Sequence, residues 1–243
     1  MTTWKTPGGF ADRNISAMLE NNHLLIAGVT GAGKSVLMNT LIYTALLYSP
    51  ARLKMIMIDP KRVDMIEWSD IPHLIKRAAE PADIVTTLNY CISEMETRYK
   101  YMERKRIKQF DSCHLYIFID EFADLMTTQK RETLPQLQRL AQLGRAANIH
   151  LILATQRPTA DIISGQIKAN MAYRIALRCA TAQESRNIID RKCAETLPQY
   201  GYGYYLTPTG CDLVKIPKIP DNELTARRRW WEEQKPKPRR RWW

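Results

Sequence analysis

The segment Gly28-Val-Thr-Gly-Ala-Gly-Lys-Ser35 fits the pattern GxxxxGK[ST] at every fixed position. It stands between an apolar run, Leu24 to Ala27, and a helical pattern, Val36 to Tyr48. Few sequence features restrict a fold so tightly. Glycines let the backbone wrap a polyphosphate, successive N–H groups donate to its oxygens, and the start of the following helix adds a positive dipole. That chemistry needs the strand–turn–helix context found here. Gly28, Val29, Thr30, Gly31, Ala32, Gly33, Lys34, Ser35 and Val36 are therefore expected to cradle phosphates. Among them Lys34 would neutralise the β- and γ-phosphates, and Ser35 would hold Mg²⁺.

The rest of the chain alternates in the same manner. Leu53 to Ile58 reads as a buried strand ending at Asp59-Pro60. From Ala82 to Ile107, Ile84, Val85, Leu88, Cys91, Ile92, Met95, Tyr99 and Met102 recur at helical spacing. Leu115 to Ile119 reads as a second buried strand, and Glu132 to Ala146 as a helix whose start Pro135 should delay. Ile149 to Ala154, Tyr173 to Arg178 and Tyr202 to Leu206 complete the expected strands. Such alternation points to an α/β fold, a mostly parallel central sheet flanked by helices. Three regions are expected: an amino-terminal extension over 1–22, the α/β body over 23–216, and a flexible, basic Trp/Arg-rich tail over 217–243. In the tail, prolines, charges and paired tryptophans replace the alternation.

Two more strand ends carry polar groups. Leu115-Tyr-Ile-Phe-Ile-Asp120-Glu121 ends in two carboxylates, at the end of the strand where ligands bind in open α/β sheets. Asp120 suits the Mg²⁺ shell, and Glu121 is placed to polarise the water that attacks a γ-phosphate. Gln156 follows the run Ile149 to Ala154 and would sense the γ-phosphate or that water. A loop-capping amide explains the same spacing.

Charge and composition narrow the partners. The 243 residues include 36 basic and 25 acidic side chains, a formal +11. Arg227 to Trp243 has eight basic and two acidic residues, a net of +6, so the other 226 residues carry +5. A basic chain suggests a polyanion, nucleic acid first. In the tail, arginine suits phosphate while tryptophan suits a stacked base or a headgroup boundary. DNA, a recruiting protein, a membrane surface and simple solubilisation all stay open for it. Five scattered cysteines without a CxxC pair, and four dispersed histidines, argue against a disulfide framework or a zinc site. With no apolar run near eighteen residues and no visible signal peptide, the expected location is the cytoplasm.

Taken in order, several segments resemble the ATPase motor of the FtsK/SpoIIIE family of DNA translocases. They are Asn22-His-Leu-Leu-Ile-Ala-Gly28 before the P-loop, Ile58-Asp-Pro-Lys61, Ile71-Pro-His-Leu74 and Ile119-Asp-Glu-Phe-Ala-Asp-Leu-Met126. Gly144-Arg-Ala-Ala-Asn-Ile-His150, Ala154-Thr-Gln-Arg-Pro158, Ile167-Lys-Ala-Asn170 and Arg174-Ile-Ala176 follow. The resemblance implies a RecA-like fold, ATP with Mg²⁺, and a homo-oligomeric ring, usually a hexamer, that drives double-stranded DNA through its pore. It also implies that Arg145 is an arginine finger acting in trans on a neighbour's γ-phosphate, and that Gln156 is the polar sensor. Arg157 and Lys168 would lie in a pore loop on the DNA backbone. An arginine favoured by a helix dipole is the other reading of Arg145. The 22 residues before His23 are too few for the small domain that the family carries there, and no sequence-reading module is visible.

Two function classes remain. One is a DNA-stimulated ATPase moving duplex DNA in segregation, transfer or packaging, with a conjugative coupling or viral packaging ATPase as its nearest variant. The other is a nucleotide-controlled binding module with slow turnover. Glu121, Arg145 and Gln156 together favour the motor, because a switch does not need all three.

Overall fold

A computed structural model describes residues 23–234 together with Ile15, Met18 and Leu19. Eight strands form one sheet: β1 (Leu24–Ala27), β2 (Leu53–Ile58), β3 (Leu74–Ala78), β4 (His114–Ile119), β5 (Ile149–Thr155), β6 (Tyr173–Ala176), β7 (Tyr202–Thr207) and β8 (Gly210–Lys215). Their order is β3-β2-β4-β5-β1-β6-β7-β8. The strands from β3 to β6 run parallel, and β7 and β8 add an antiparallel edge. The helices are α1 (Lys34–Ala45), α2 (Pro81–Lys105), α3 (Phe122–Thr128), α4 (Lys130–Leu143), α5 (Gly165–Asn170), α6 (Ala182–Ile189) and α7 (Asp221–Glu233).

Side chains of a strand alternate between faces, and here both faces are apolar because helices cover both. Ile56, Ile58, Ile117, Ile119, Leu151 and Leu153 join one core with residues of α2, α3, α4 and α6. Met55, Met57, Tyr116, Phe118, Ile152 and Ala154 face the other, with α1, α7, Ile15, Met18 and Leu19. β1 lies between β5 and β6, so the loop after it opens at the carboxyl end of an interior strand. β5 ends beside it and β4 one strand further on. This brings three polar strand ends into one place.

Three details differ from the sequence reading. The helix expected to begin late, near Pro135, begins at Lys130. Thr133, Leu137, Leu140 and Ala141 bury its inner face, and the single ladder bond lost at the proline does not outweigh that burial. Strands β3 and β8 add two edges that no apolar run announces: Ile75 and Leu213 are exposed, and Lys76 and Asp212 are polar. The region expected to be a flexible tail from Pro217 is partly helical. Its first half is helix α7, packed on α1. Pro220 precedes the helix, Asp221 and Glu223 complement its dipole, and Leu224, Arg227 and Trp231 form one buried stripe. Trp231 Nε1 donates to Leu46 O at 2.9 Å, and its ring meets His73 edge-on at 4.6 Å between centroids. The arginines and tryptophans of 239–243, and most of the 1–22 extension, lie outside the described residues.

All five cysteines are free. Among the described residues, no helix is long and apolar enough to cross a membrane.

Candidate nucleotide-binding site

Between β1 and α1 the chain makes the turn that the glycines permit. Gly31 and Gly33 have φ of 78° and 98°, which L side chains rarely adopt. At Gly28 the reason is space, since an added Cβ would lie 2.7 Å from Leu177 Cβ. Val29 N–H donates to Arg178 O at 2.9 Å, tying the loop to the chain beyond β6. Helix α1 starts at Lys34, so its unpaired N–H groups and dipole point at the loop.

Lys34 is buried, and its ammonium donates to Asp120 Oδ1 at 2.5 Å and to Asp120 O at 2.9 Å. Burial pushes the Asp120 carboxyl up, to about 6, against the pull of Lys34, and the nearby Asp64 carboxylate adds to the rise. Asp120 Oδ2 is buried with no hydrogen-bond partner among the described residues. Such an oxygen is costly to leave unmet, and a hard cation would meet it. Ser35 Oγ donates to Asp64 Oδ1 at 3.2 Å. The oxygen donors of Asp120 and Ser35 thus fit Mg²⁺, the ion expected from the sequence.

Glu121 follows Asp120 and is also buried, but its partners are different. Thr155 Oγ1 donates to Glu121 Oε1 at 2.6 Å, Gln156 N–H reaches both carboxylate oxygens, and Lys61 Nζ lies 3.3 Å from Oε2. Thr30 Oγ1 in the P-loop donates to Gln156 Oε1 at 2.8 Å. A chain of contacts therefore runs from P-loop through Gln156 and Thr155 to Glu121. Thr155 and Lys61 had no role assigned from the sequence, although both lie inside the segments that carry the family resemblance. Asp64 lies outside them, five residues past Asp59 in an irregular loop, where no periodicity marks it.

The other expected residues sit apart. Arg145 is exposed in the turn between α4 and β5, at the amino end of the sheet. Seven residues of β5 at roughly 3.3 Å each put about 20 Å between it and Thr155. Arg157 is half-exposed and pairs with Asp124 at 2.7 Å. Lys168 pairs with Asp190, which also binds Arg174 at 2.7 Å. Both candidate DNA contacts are thus engaged within the chain.

The family model described as FtsK/SpoIIIE family matches residues 8–117 and 112–160. The chain belongs to that family. It is 37% identical over 223 residues to the DNA translocase FtsK of Leptospira interrogans, covering 83% of this chain and 24% of that protein. Against the DNA translocase FtsK of Helicobacter pylori it is 39% identical over 209 residues, 80% of this chain and 24% of the other. The chain thus spans about a quarter of the length of these relatives. Among solved structures, the pCW3 conjugation coupling protein TcpA, in a monomer form with ATPγS, aligns with a TM-score of 0.77 at 24% identity over 88% of this chain and 66% of that one. The cytoplasmic domain of the type VII secretion ATPase EccC of Thermomonospora curvata gives 0.77 at 22% identity, over 91% and 29%. B204, the DNA-packaging ATPase of Sulfolobus turreted icosahedral virus, gives 0.56 at 16%, over 84% and 100%. At these identities the structural likenesses establish the fold.

Proposed function

We propose that this chain is the ATP-hydrolysing motor segment of a duplex-DNA translocase. The observation that carries the proposal is the joining of P-loop, Asp120, Glu121 and Gln156 at three neighbouring strand ends, in a member of the FtsK/SpoIIIE family. In the proposed reaction the P-loop N–H groups and Lys34 hold the ATP phosphates, and Ser35 and Asp120 hold Mg²⁺. The ion, when bound, would neutralise charge building on the phosphate oxygens. Glu121 orients and polarises the attacking water. Gln156, bonded to Thr30 on one side and to Glu121 through its N–H on the other, reports the γ-phosphate to the loop that follows it.

The remaining parts complete the motor. Arg145 cannot reach across about 20 Å of sheet to its own P-loop, so a finger role requires a second subunit, as in a ring. Arg157, at the end of the Gln156 loop, would exchange Asp124 for a DNA phosphate, and Lys168 would exchange Asp190 in the same way. Residues 235–243 are proposed to recruit a partner protein or a membrane surface.

The test is the steady-state ATPase rate with and without long duplex DNA. A rate that rises with DNA supports the motor. A rate indifferent to DNA contradicts it and favours a nucleotide-controlled binding module.

A further inference from the structure

The loop after β2 is built to aim one more carboxylate at the nucleotide site. Asp59 is fully buried. Its Oδ1 accepts from Arg62 N–H at 2.9 Å and its Oδ2 from Met65 N–H at 3.4 Å, so the carboxylate shapes the turn from within. Arg62 takes a left-handed φ of 61° to close that turn. Beyond it Met65 and Trp68 are buried, and Trp68 Nε1 donates to Asn39 Oδ1 of α1 at 3.0 Å. The segment is therefore pinned at both ends, to β2 and to the helix that carries Ser35. Between those pins stands Asp64, half-buried, with Oδ1 3.2 Å from Ser35 Oγ. Asp120 comes in from the other side, its N–H on Ile58 O at 3.0 Å and its Oδ2 buried without a hydrogen-bond partner among the described residues.

Two carboxylates and a hydroxyl thus converge on the first turn of α1, and among the described residues the Lys34 ammonium on Asp120 is the one cation bonded to either acid. Gathering like charge there is unfavourable unless a cation joins them. Mg²⁺ takes hard oxygens, keeps several waters, and is bound through one or two carboxylates plus substrate phosphates. We infer that Asp64 is a third protein group of the Mg²⁺ site, acting beside Ser35 and Asp120, and that it sets how strongly Mg²⁺ strengthens nucleotide binding. The inference rests on the nucleotide reading above and adds to it a residue outside the P-loop and the β4 carboxylates.

The test titrates a fluorescent ATP analogue into wild type, Asp64→Asn and Asp64→Glu, once with EDTA and once with saturating MgCl₂. The quantity read is the ratio of the two dissociation constants, which cancels any general weakening. Groups that support a metal site typically carry 10–100-fold in metal affinity, so Asp64→Asn should lower the ratio about tenfold. Asparagine keeps the shape and an acceptor for Ser35. Glutamate keeps the charge and should recover most of the loss. A ratio in Asp64→Asn equal to wild type overturns the inference. So does an equal loss in both variants, which would make loop shape the cause. If wild type binds no analogue in either condition, the nucleotide reading fails and the inference with it, a result distinct from an unchanged ratio.

Discussion

At the scale of single residues, Asp120 and Glu121 are adjacent in sequence yet answer to different neighbours. Asp120 is bonded to Lys34, and Glu121 to Thr155, Gln156 and Lys61. Their substitutions should separate accordingly. Glu121→Gln should keep nucleotide bound while slowing turnover about 100-fold or more, the usual range for a general base. Lys34→Ala should weaken nucleotide binding itself. It should also cost about 3 kcal/mol of stability, because a buried carboxylate loses its cation. Equal nucleotide affinities in the two variants would contradict these roles. Arg157 offers a second test. Replacing it by glutamine should weaken DNA binding alike for all sequences and lower the salt slope of log K by about 1. An unchanged slope would put the DNA path elsewhere. The P-loop and the β4 carboxylates were legible in the sequence because their chemistry demands fixed spacings after apolar strands. Thr155, Lys61 and Asp64 were not: only the parallel pairing of β2, β4 and β5 brings Thr155 and Lys61 to Glu121, and only the packing of the loop after β2 on α1 brings Asp64 to Ser35.

Among the elements, α7 shows best how packing decides. Its sequence is dominated by Arg227-Arg-Arg-Trp-Trp231, which in composition reads as a solvated tail. A stripe at Leu224, Arg227 and Trp231 makes it a helix instead, with Trp231 set on α1, the helix that begins at Lys34. Trp231→Ala should destabilise by about 3 kcal/mol, a fall in Tm of about 6–12 °C for a chain of this size. A shift below 2 °C would mean that α7 is not docked. The strand β5 and its neighbours carry a pH effect. His23, just before β1, is buried, and its pKa falls to about 4, through burial first and the Arg145 charge second. His73 falls to about 4 for the same first reason, and His114 and His150 are lowered as well. An unfolded chain protonates His23 and His73 near 6.5, and the folded one resists until about 4. Stability should therefore fall as pH drops from 6.5 to 4, by up to about 1.4 kcal/mol per pH unit for each of these two histidines. Asp120, with its raised pKa, opposes this. Comparing wild type with His23→Gln isolates one ring, and the variant should show the shallower pH slope.

Over the whole molecule, the sheet holds the expected site residues at opposite ends. One end holds the P-loop, Asp120, Glu121 and Gln156, and the other holds Arg145. If neighbours complete each other's sites, Arg145→Ala and Glu121→Gln proteins should each be inactive alone and recover part of the ATPase activity when mixed. An Arg145→Ala protein fully active as a monomer would refute the shared site. The parallel body of the sheet could be anticipated from the alternation of strands and helices. Its two edges and the docking of α7 required the assembled fold. If hydrolysis moves the protein along duplex DNA, as proposed, it should displace a third strand annealed to a linear duplex. Displacement should occur with ATP and Mg²⁺, but not with ATPγS and not with Glu121→Gln. Hydrolysis that rises with DNA while the third strand stays in place would contradict it.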